Sequence, residues 1–381
     1  MTEREKEIFD IISENPMISQ GELSNMLGIA RSSVAVHISN LVQEGVLKGR
    51  GYVINQQNHP VIIGAANADI YCRVDSTASD VQQAISRFLS VNLNITYGGI
   101  AKNVAESLVR LGSAPALISV VGSGLLGSEM LRDCREANIS TSDILIYGDN
   151  TGAYIEVQDP AGKKMFVGLS SAKSDAFLSP EVLQAKRALL NSALLILAED
   201  SMMVDSLRYI SSSYQKNYPM LLCTYPERVD KYREFFNQFS FAIMSGEVAC
   251  RLADVDSAQM MDEKGVLLVA QRVAAIGPTK TLIVYGTDRM CLVDQDVVKL
   301  AEFSAHSADS DTTYDHCRDT IAAAVIRCIE LNNDSDSLLH WASAARYLQS
   351  QTSTFVCKSL CMQQLVSATK RGKLVVRTLS L

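Results

Sequence analysis

Apolar residues Ile8, Phe9, Ile11 and Ile12 recur among charged neighbours between residues 4 and 14, the periodicity of an amphipathic helix. After Asn15-Pro16, Ser19 stands three positions before Glu22, a capping-box spacing that predicts a second short helix through Leu27. Gly28-Ile29-Ala30-Arg31 reads as a turn, and Ser32 or Ser33 starts a third helix that buries Val34, Ile38 and Leu41. Gly45 ends that helix, and residues 46–54 read as a hairpin with a basic, glycine-rich tip. Residues 56–60, with the His59-Pro60 step, form a short linker. Beyond it the pattern changes, as short apolar runs at residues 61–69, 117–121, 194–198, 220–223, 241–244 and 281–284 alternate with helical periods. That alternation predicts an α/β domain over residues 61–381 with a parallel, doubly wound sheet.

A chain of 381 residues suits one small and one large unit. Its 47% hydrophobic and 20% charged residues are those of a soluble globular protein. No apolar run approaches the ~18 residues of a membrane helix, and the charged start Met-Thr-Glu-Arg-Glu-Lys-Glu lacks an apolar signal core. A cytoplasmic protein without a membrane partner is expected. The nine cysteines lack Cys-x-x-Cys pairs, so reduced, packed thiols and no metal site are expected. A net charge of −7 argues against broad coating of nucleic acid but leaves room for a small reading head with local basic groups.

Three helices and a hairpin make residues 1–55 a winged helix-turn-helix domain, similar to the short winged helices at the front of many bacterial metabolite-responsive regulators. The pattern that carries this likeness runs from Ile18-Ser19-Gln20-Gly21-Glu22-Leu23 to Val34, His37, Ile38 and Leu41. Such a fold would send the first turns of the third helix into the major groove, with Arg31, Ser32, Ser33 and His37 near DNA and Lys48 and Arg50 on phosphates. A winged helix used for protein contacts is the alternative.

In the large domain, Asn67 and Asp69 end the first apolar run, and Tyr97-Gly98-Gly99-Ile100-Ala101-Lys102-Asn103 opens a helix. Two glycines allow close approach to a hydroxyl-rich ligand, and the Asn103 amide can donate and accept at once. Late in the chain, Asp309-Ser310-Asp311-Thr312-Thr313-Tyr314-Asp315 runs into a helix with Ile321, Val325 and Cys328/Ile329 on one side. An acid at the mouth of a helix can take a proton from a hydroxyl beside a developing phosphate charge, or it can be an N-cap.

Asn-x-Asp, Gly-Gly-x-x-x-Asn-x-Ala, Val121-Gly122-Ser123-Gly124 and the Asp-rich helix start come in the order of the PfkB/ribokinase family of carbohydrate kinases. The resemblance covers about residues 60–370 and extends to relatives of pseudouridine kinase that carry a winged helix. It implies a ribokinase-like fold, a sugar site at Asn67, Asp69, Gly98, Gly99 and Asn103, and Asp315 as catalytic base. It also implies a phosphate and nucleotide region at Glu247, Asp309, Thr312, Thr313 and Tyr314, with ATP and Mg2+ as cofactors if the domain is active.

The phosphate side departs from the family pattern. Thr312, Thr313 and Tyr314 stand where the resemblance puts Gly-Ala-Gly, Met244 replaces the Asn of Asn-x-x-Glu, and Cys223-Thr224 replaces an Asp. Phosphoryl transfer depends on positioning and on stabilising transferred charge, so these changes fall where catalysis is most sensitive. The expected function is a DNA-binding transcriptional regulator whose degenerate kinase domain senses a sugar or nucleoside. The alternatives are an active sugar or nucleoside kinase with an attached DNA-binding domain, and an interaction module with both sites dead. A winged helix that reads paired half-sites implies a homodimer.

Overall fold

A computed structural model describes residues 1–16, 18–48, 59–74, 91–170, 178–304, 313–352 and 354–380, with three helices at the front and a domain of strands and helices behind them. The head holds α1 (Glu3–Glu14), α2 (Gln20–Leu27) and α3 (Arg31–Gln43). Thr2 and Ser19 both close capping boxes, with Glu5 and Glu22 three residues on, so two of the free amides at each helix start are satisfied. The third helix begins at Arg31, just before the expected serines, with Ala30 in extended backbone at its N-cap; Ser32 and Ser33 lie exposed in the first turn. Ile8, Ile12, Ile18, Leu23, Val34, Ile38, Leu41 and Leu47 close the head's core. The hairpin tip with Arg50 lies outside the described residues.

The large domain runs β1 (His59–Ile63), β2 (Asn67–Val74), β3 (Val91–Gly98), α4 (Ile100–Arg110), β4 (Ala116–Val121), α5 (Leu125–Glu136), β5 (Ile144–Ile146), β6 (Ala153–Gln158) and β7 (Lys164–Ser170). It continues α6 (Pro180–Ala185), α7 (Arg187–Asn191), β8 (Ala193–Glu199), α8 (Val204–Ser213), β9 (Pro219–Leu222), β10 (Phe241–Ser245), α9 (Gly246–Ala253) and α10 (Glu263–Ile276). Last come β11 (Lys280–Tyr285), β12 (Arg289–Asp294), β13 (Val297–Ser304), α11 (Tyr314–Glu330), α12 (Ser335–Ser350), α13 (Met362–Arg371) and β14 (Lys373–Ser380).

Ten strands form one sheet in the order β14-β13-β12-β11-β10-β9-β8-β1-β4-β5. From β5 to β11 every pairing is parallel, while β11 to β14 zigzag antiparallel, so the expected parallel sheet is a mixed one. Helices cover both faces, and the two apolar layers explain why β8 is an unbroken apolar run rather than an alternating one.

The stretch 61–69, expected as one strand, divides in two. β1 stops at Ile63, and Asn67 opens β2 in a separate four-stranded sheet ordered β3-β2-β6-β7. The break falls at Gly64, where a Cβ would meet the Glu199 side chain at 2.5 Å. Only glycine leaves room for that carboxyl beneath the turn. The small sheet overhangs the C-terminal ends of β1 and β8, and its two faces differ. Asn67, Asp69 and Tyr154 share one face with Leu169; Ile70, Cys72, Leu93, Ile95, Val157 and Phe166 share the other.

Candidate functional site

Between the overhanging sheet and the ends of the main strands lies a cavity of ≈ 450 Å³. Asn67, Asp69, Gly99 and Asn103 line it, and Gly98 packs directly under Asp69. Gly99 caps α4 with φ of 95°, and a Cβ there would meet Ala65 O at 2.6 Å, so both its backbone angle and its packing require glycine. Burial is the largest influence on the Asp69 carboxyl, and with help from the Asp319 charge against Lys102 it rises to about 7. Near neutral pH it can therefore both donate to and accept from a ligand hydroxyl.

Asp315 also lines the cavity, but it sits inside the first turn of α11 with its side chain 49% exposed. One turn further on, Asp319 is 2% exposed and accepts from Asn103 Nδ2 at 3.0 Å. Arg318 lies between the two acids, donating from Nε to Asp319 at 2.9 Å and from Nη1 to Asp315 at 3.0 Å. Burial works against the guanidinium charge, but the two carboxylates outweigh it and hold Arg318 firmly protonated. Burial raises Asp319 in turn, against the downward pull of Arg318 and Asn103. Because α11 starts at Tyr314, the amides from Arg318 onward belong to the helix ladder and are not open donors. Thr313 is the exposed N-cap residue, and Tyr314 donates its hydroxyl to Cys223 O at 3.2 Å. Asp309 and Thr312 lie outside the described residues.

Three groups join the site that the sequence reading does not contain. Glu199, at the end of β8, is 3% exposed and accepts from Ala65 N at 3.0 Å and from the Ser201 hydroxyl. Its other oxygen, Oε2, has no hydrogen-bond partner among the described residues, and burial pushes the carboxyl up to about 7. Asp200, fully buried, accepts from Thr224 N at 2.8 Å and from Arg228 Nη1 at 3.2 Å. Asp200, the residue after β8, thus stands beside Thr224, the strand end where the expected Asp is missing. Tyr154, Val167, Leu169, Tyr225 and Phe355 supply an aromatic and apolar wall, with the Arg228 guanidinium 5.1 Å from the Tyr225 ring.

On the nucleotide side, Met244 is buried and Glu247 is exposed at the start of α9, where Ser245 caps the helix. Among the described residues no three His, Cys, Asp or Glu side chains cluster so as to hold a metal ion. Glu247 is not among the residues that line the cavity, so the described residues do not make up a site for Mg2+. All nine cysteines are free. Among the described residues no helix is long and apolar enough to cross a membrane. On the head, Arg31, Ser32, Ser33 and Lys48 are exposed along the start of α3 and the turn after it. His37 is half-buried, its Nδ1 3.6 Å from Glu5 Oε1.

Residues 57–345 match the pfkB family carbohydrate kinases, and residues 1–48 match the winged helix-turn-helix DNA-binding domains. The chain belongs to the pfkB carbohydrate kinase family and carries an N-terminal winged helix-turn-helix domain. Kinases of this family use ATP and a divalent metal. The chain is 30% identical over 211 residues to the uncharacterized sugar kinase YeiI of Escherichia coli (strain K12), covering 55% of this chain and 57% of that one. It is 26% identical over 160 residues to the pseudouridine kinase of the same organism, covering 41% of this chain and 49% of that one. It thus spans about half the length of the curated relatives it matches. A carbohydrate kinase from Agrobacterium tumefaciens superimposes with a TM-score of 0.70 at 14% identity, covering 85% of this chain and 100% of that one, a likeness of fold.

Proposed function

We propose that this chain is a DNA-binding transcriptional regulator whose PfkB-type domain senses a sugar or nucleoside and phosphorylates it weakly or not at all. The observation that carries the reading is Arg318, wedged between Asp315 and Asp319 at the head of α11. The guanidinium occupies both acids at the place where a phosphoryl group would have to pass. Meanwhile Asn67, Asp69, Gly99 and Asn103 still face the cavity as a hydroxyl-binding set. Ligand binding needs only the second group; transfer needs both.

A nucleoside fits the cavity better than a bare sugar. Its ≈ 450 Å³ is in the range that encloses a larger ligand, and the wall of Tyr154, Tyr225, Val167 and Leu169 lies beside the polar end. A base stacked there would cover aromatic surface while the ribosyl hydroxyls meet Asp69 and Asn103.

The second reading, an active sugar or nucleoside kinase with an attached DNA-binding domain, has one observation in its favour. Asp319, buried and held by Asn103, sits where a base for a ligand hydroxyl would be needed, so the role expected of Asp315 passes to its neighbour one turn on. A homodimer is part of the proposal: Val91, Leu93, Ile95 and Phe166 expose an apolar face on the overhanging sheet, turned away from the cavity, and a winged helix reads half-sites in pairs.

The test is thermal stability of the purified chain with ribose, hexoses and ribonucleosides, each with and without ATP and Mg2+. A stabilising ligand whose shift ATP does not increase fits the sensor. A further shift with ATP, followed by formation of a phosphorylated product, would replace the sensor with the kinase.

A further inference from the structure

The end of the third helix of the head is finished by side chains from the large domain. A helix leaves its last carbonyls without partners, and its C-terminus attracts cations. Here Arg187 donates from Nε to Gln43 O at 3.3 Å and from Nη2 to Gln43 Oε1 at 3.4 Å. Asn191 donates from Nδ2 to Glu44 O at 2.6 Å. Gly45, at φ of 73°, lets the two backbones touch: a Cβ there would meet Ala188 O at 2.6 Å. Three successive residues of the head thus rest on the short helix α7.

That helix is the direct lead-in to β8. Asn217 fixes the junction, donating from Nδ2 to Asn191 O at 3.1 Å and to Ala193 O at 2.8 Å. β8 then runs 7 residues through the middle of the sheet and ends at Glu199 in the cavity. One strand, about 20 Å long, therefore has the head's third helix at its start and, at its ligand end, a buried carboxyl oxygen without a hydrogen-bond partner among the described residues.

We infer that the Gln43–Gly45 turn on Arg187, Ala188 and Asn191 is the seam through which a ligand in the cavity controls the third helix of the winged helix-turn-helix. The inference rests on the sensor reading for its ligand but not for its contact surface. A ligand donor that engages Glu199 Oε2 loads the end of β8. The strand is held by ladders on both sides, so the α7 junction is the place where a small shift is released. Arg187 and Asn191 pass it to the carbonyls of Gln43 and Glu44, which tilts or frees α3.

The experiment is hydrogen exchange on the full chain, wild type against the double variant Arg187→Ala/Asn191→Ala, without ligand and with uridine or ribose as probe. Without any ligand, the variant is expected to exchange about threefold or more faster than wild type at residues 41–47, with α12 unchanged. Equal exchange would overturn the seam, whatever the cavity binds. With a probe that raises the melting temperature of both proteins, exchange at residues 31–47 should change in wild type and stay constant in the variant. A probe that stabilises wild type without altering exchange there, or alters it equally in the variant, would overturn the coupling. If no probe stabilises either protein, the sensor reading fails while the ligand-free comparison still decides the seam. Gly45→Ala, which inserts a methyl against Ala188 O, should reproduce the faster exchange by a different route.

Discussion

Asn103 and Asp319, 216 residues apart, are joined by a buried hydrogen bond of 3.0 Å that ties the start of α4 to the second turn of α11. Each side chain has a second task at the cavity, since Asn103 faces the hydroxyl-binding end and Asp319 is clasped by Arg318. The bond is therefore both a strut between two helices and a way to aim the Asn103 amide.

Replacing Asn103 by Ala removes a ligand partner and leaves Asp319 short of a donor in a buried place. Losing such a hydrogen bond costs about 1 to 3 kcal/mol, so ligand affinity should fall by about 5- to 150-fold. Calorimetric titration of the best ligand reads this directly. Unchanged affinity would remove Asn103 from the binding set and with it the proposed orientation of the sugar.

The Glu199 carboxyl, lifted by burial from 4.5 to about 7, links stability to pH. Between about pH 4.5 and 7 the folded chain keeps a proton that the unfolded chain has released, so this group's contribution is full below that window and is lost as pH rises through it. Glu199→Gln keeps the shape and removes the titration. Relative to wild type the variant should gain up to about 3 kcal/mol between pH 4 and 8. Urea denaturation of both proteins across that range measures the difference, and parallel curves would mean that Glu199 stays ionised in the fold.

Much of this was legible in the sequence because it depends on local rules. Ser19 and Glu22 announced their helix by spacing, the apolar run in β8 announced a strand covered on both faces, and Gly99 announced a close approach. What depends on long-range placement was not. Glu199 and Asp200 follow an apolar strand like any polar strand end, and nothing local says that one enters the cavity while the other replaces a missing carboxylate beside Thr224. Asp315 is the acid nearest the helix mouth, the position that local rules single out. Yet Asp-x-x-x-Asp puts both acids on one helix face, and α11 begins early enough to carry Asp319 to the buried position. The division of residues 61–69 into two strands was hidden for a similar reason: the Cβ that Gly64 lacks would clash with a residue 135 positions later, Glu199 (199 − 64).

The apolar face of the overhanging sheet gives a prediction about assembly. Leu93 is 54% exposed on the edge strand β3, opposite Cys72, and a charge there would be stranded in a sheet-to-sheet contact. Leu93→Glu should convert a dimer to a monomer in light scattering while ligand binding on the opposite face persists. A wild-type monomer at micromolar concentration would refute the proposed interface, and a dimeric variant would move it elsewhere.

The reading head separates into two kinds of contact that salt can tell apart. Arg31 is exposed at the first position of α3, where a groove-entering helix meets base edges, and Lys48 is exposed on the turn beyond Leu47, where it can meet a phosphate. Duplexes selected from a random-sequence pool by the full chain supply the probe. Lys48→Ala should weaken all selected and unselected duplexes alike and reduce the slope of log affinity against log salt by about 1. Arg31→Ala should cost about 1 to 3 kcal/mol on the selected duplex and far less on unselected ones, so the ratio between them falls. If both variants lower affinity uniformly, Arg31 is a phosphate contact and α3 lies across the backbone rather than in the groove. If neither does, the winged helix meets a protein, and the ligand signal that reaches Gln43 and Glu44 has a partner other than DNA.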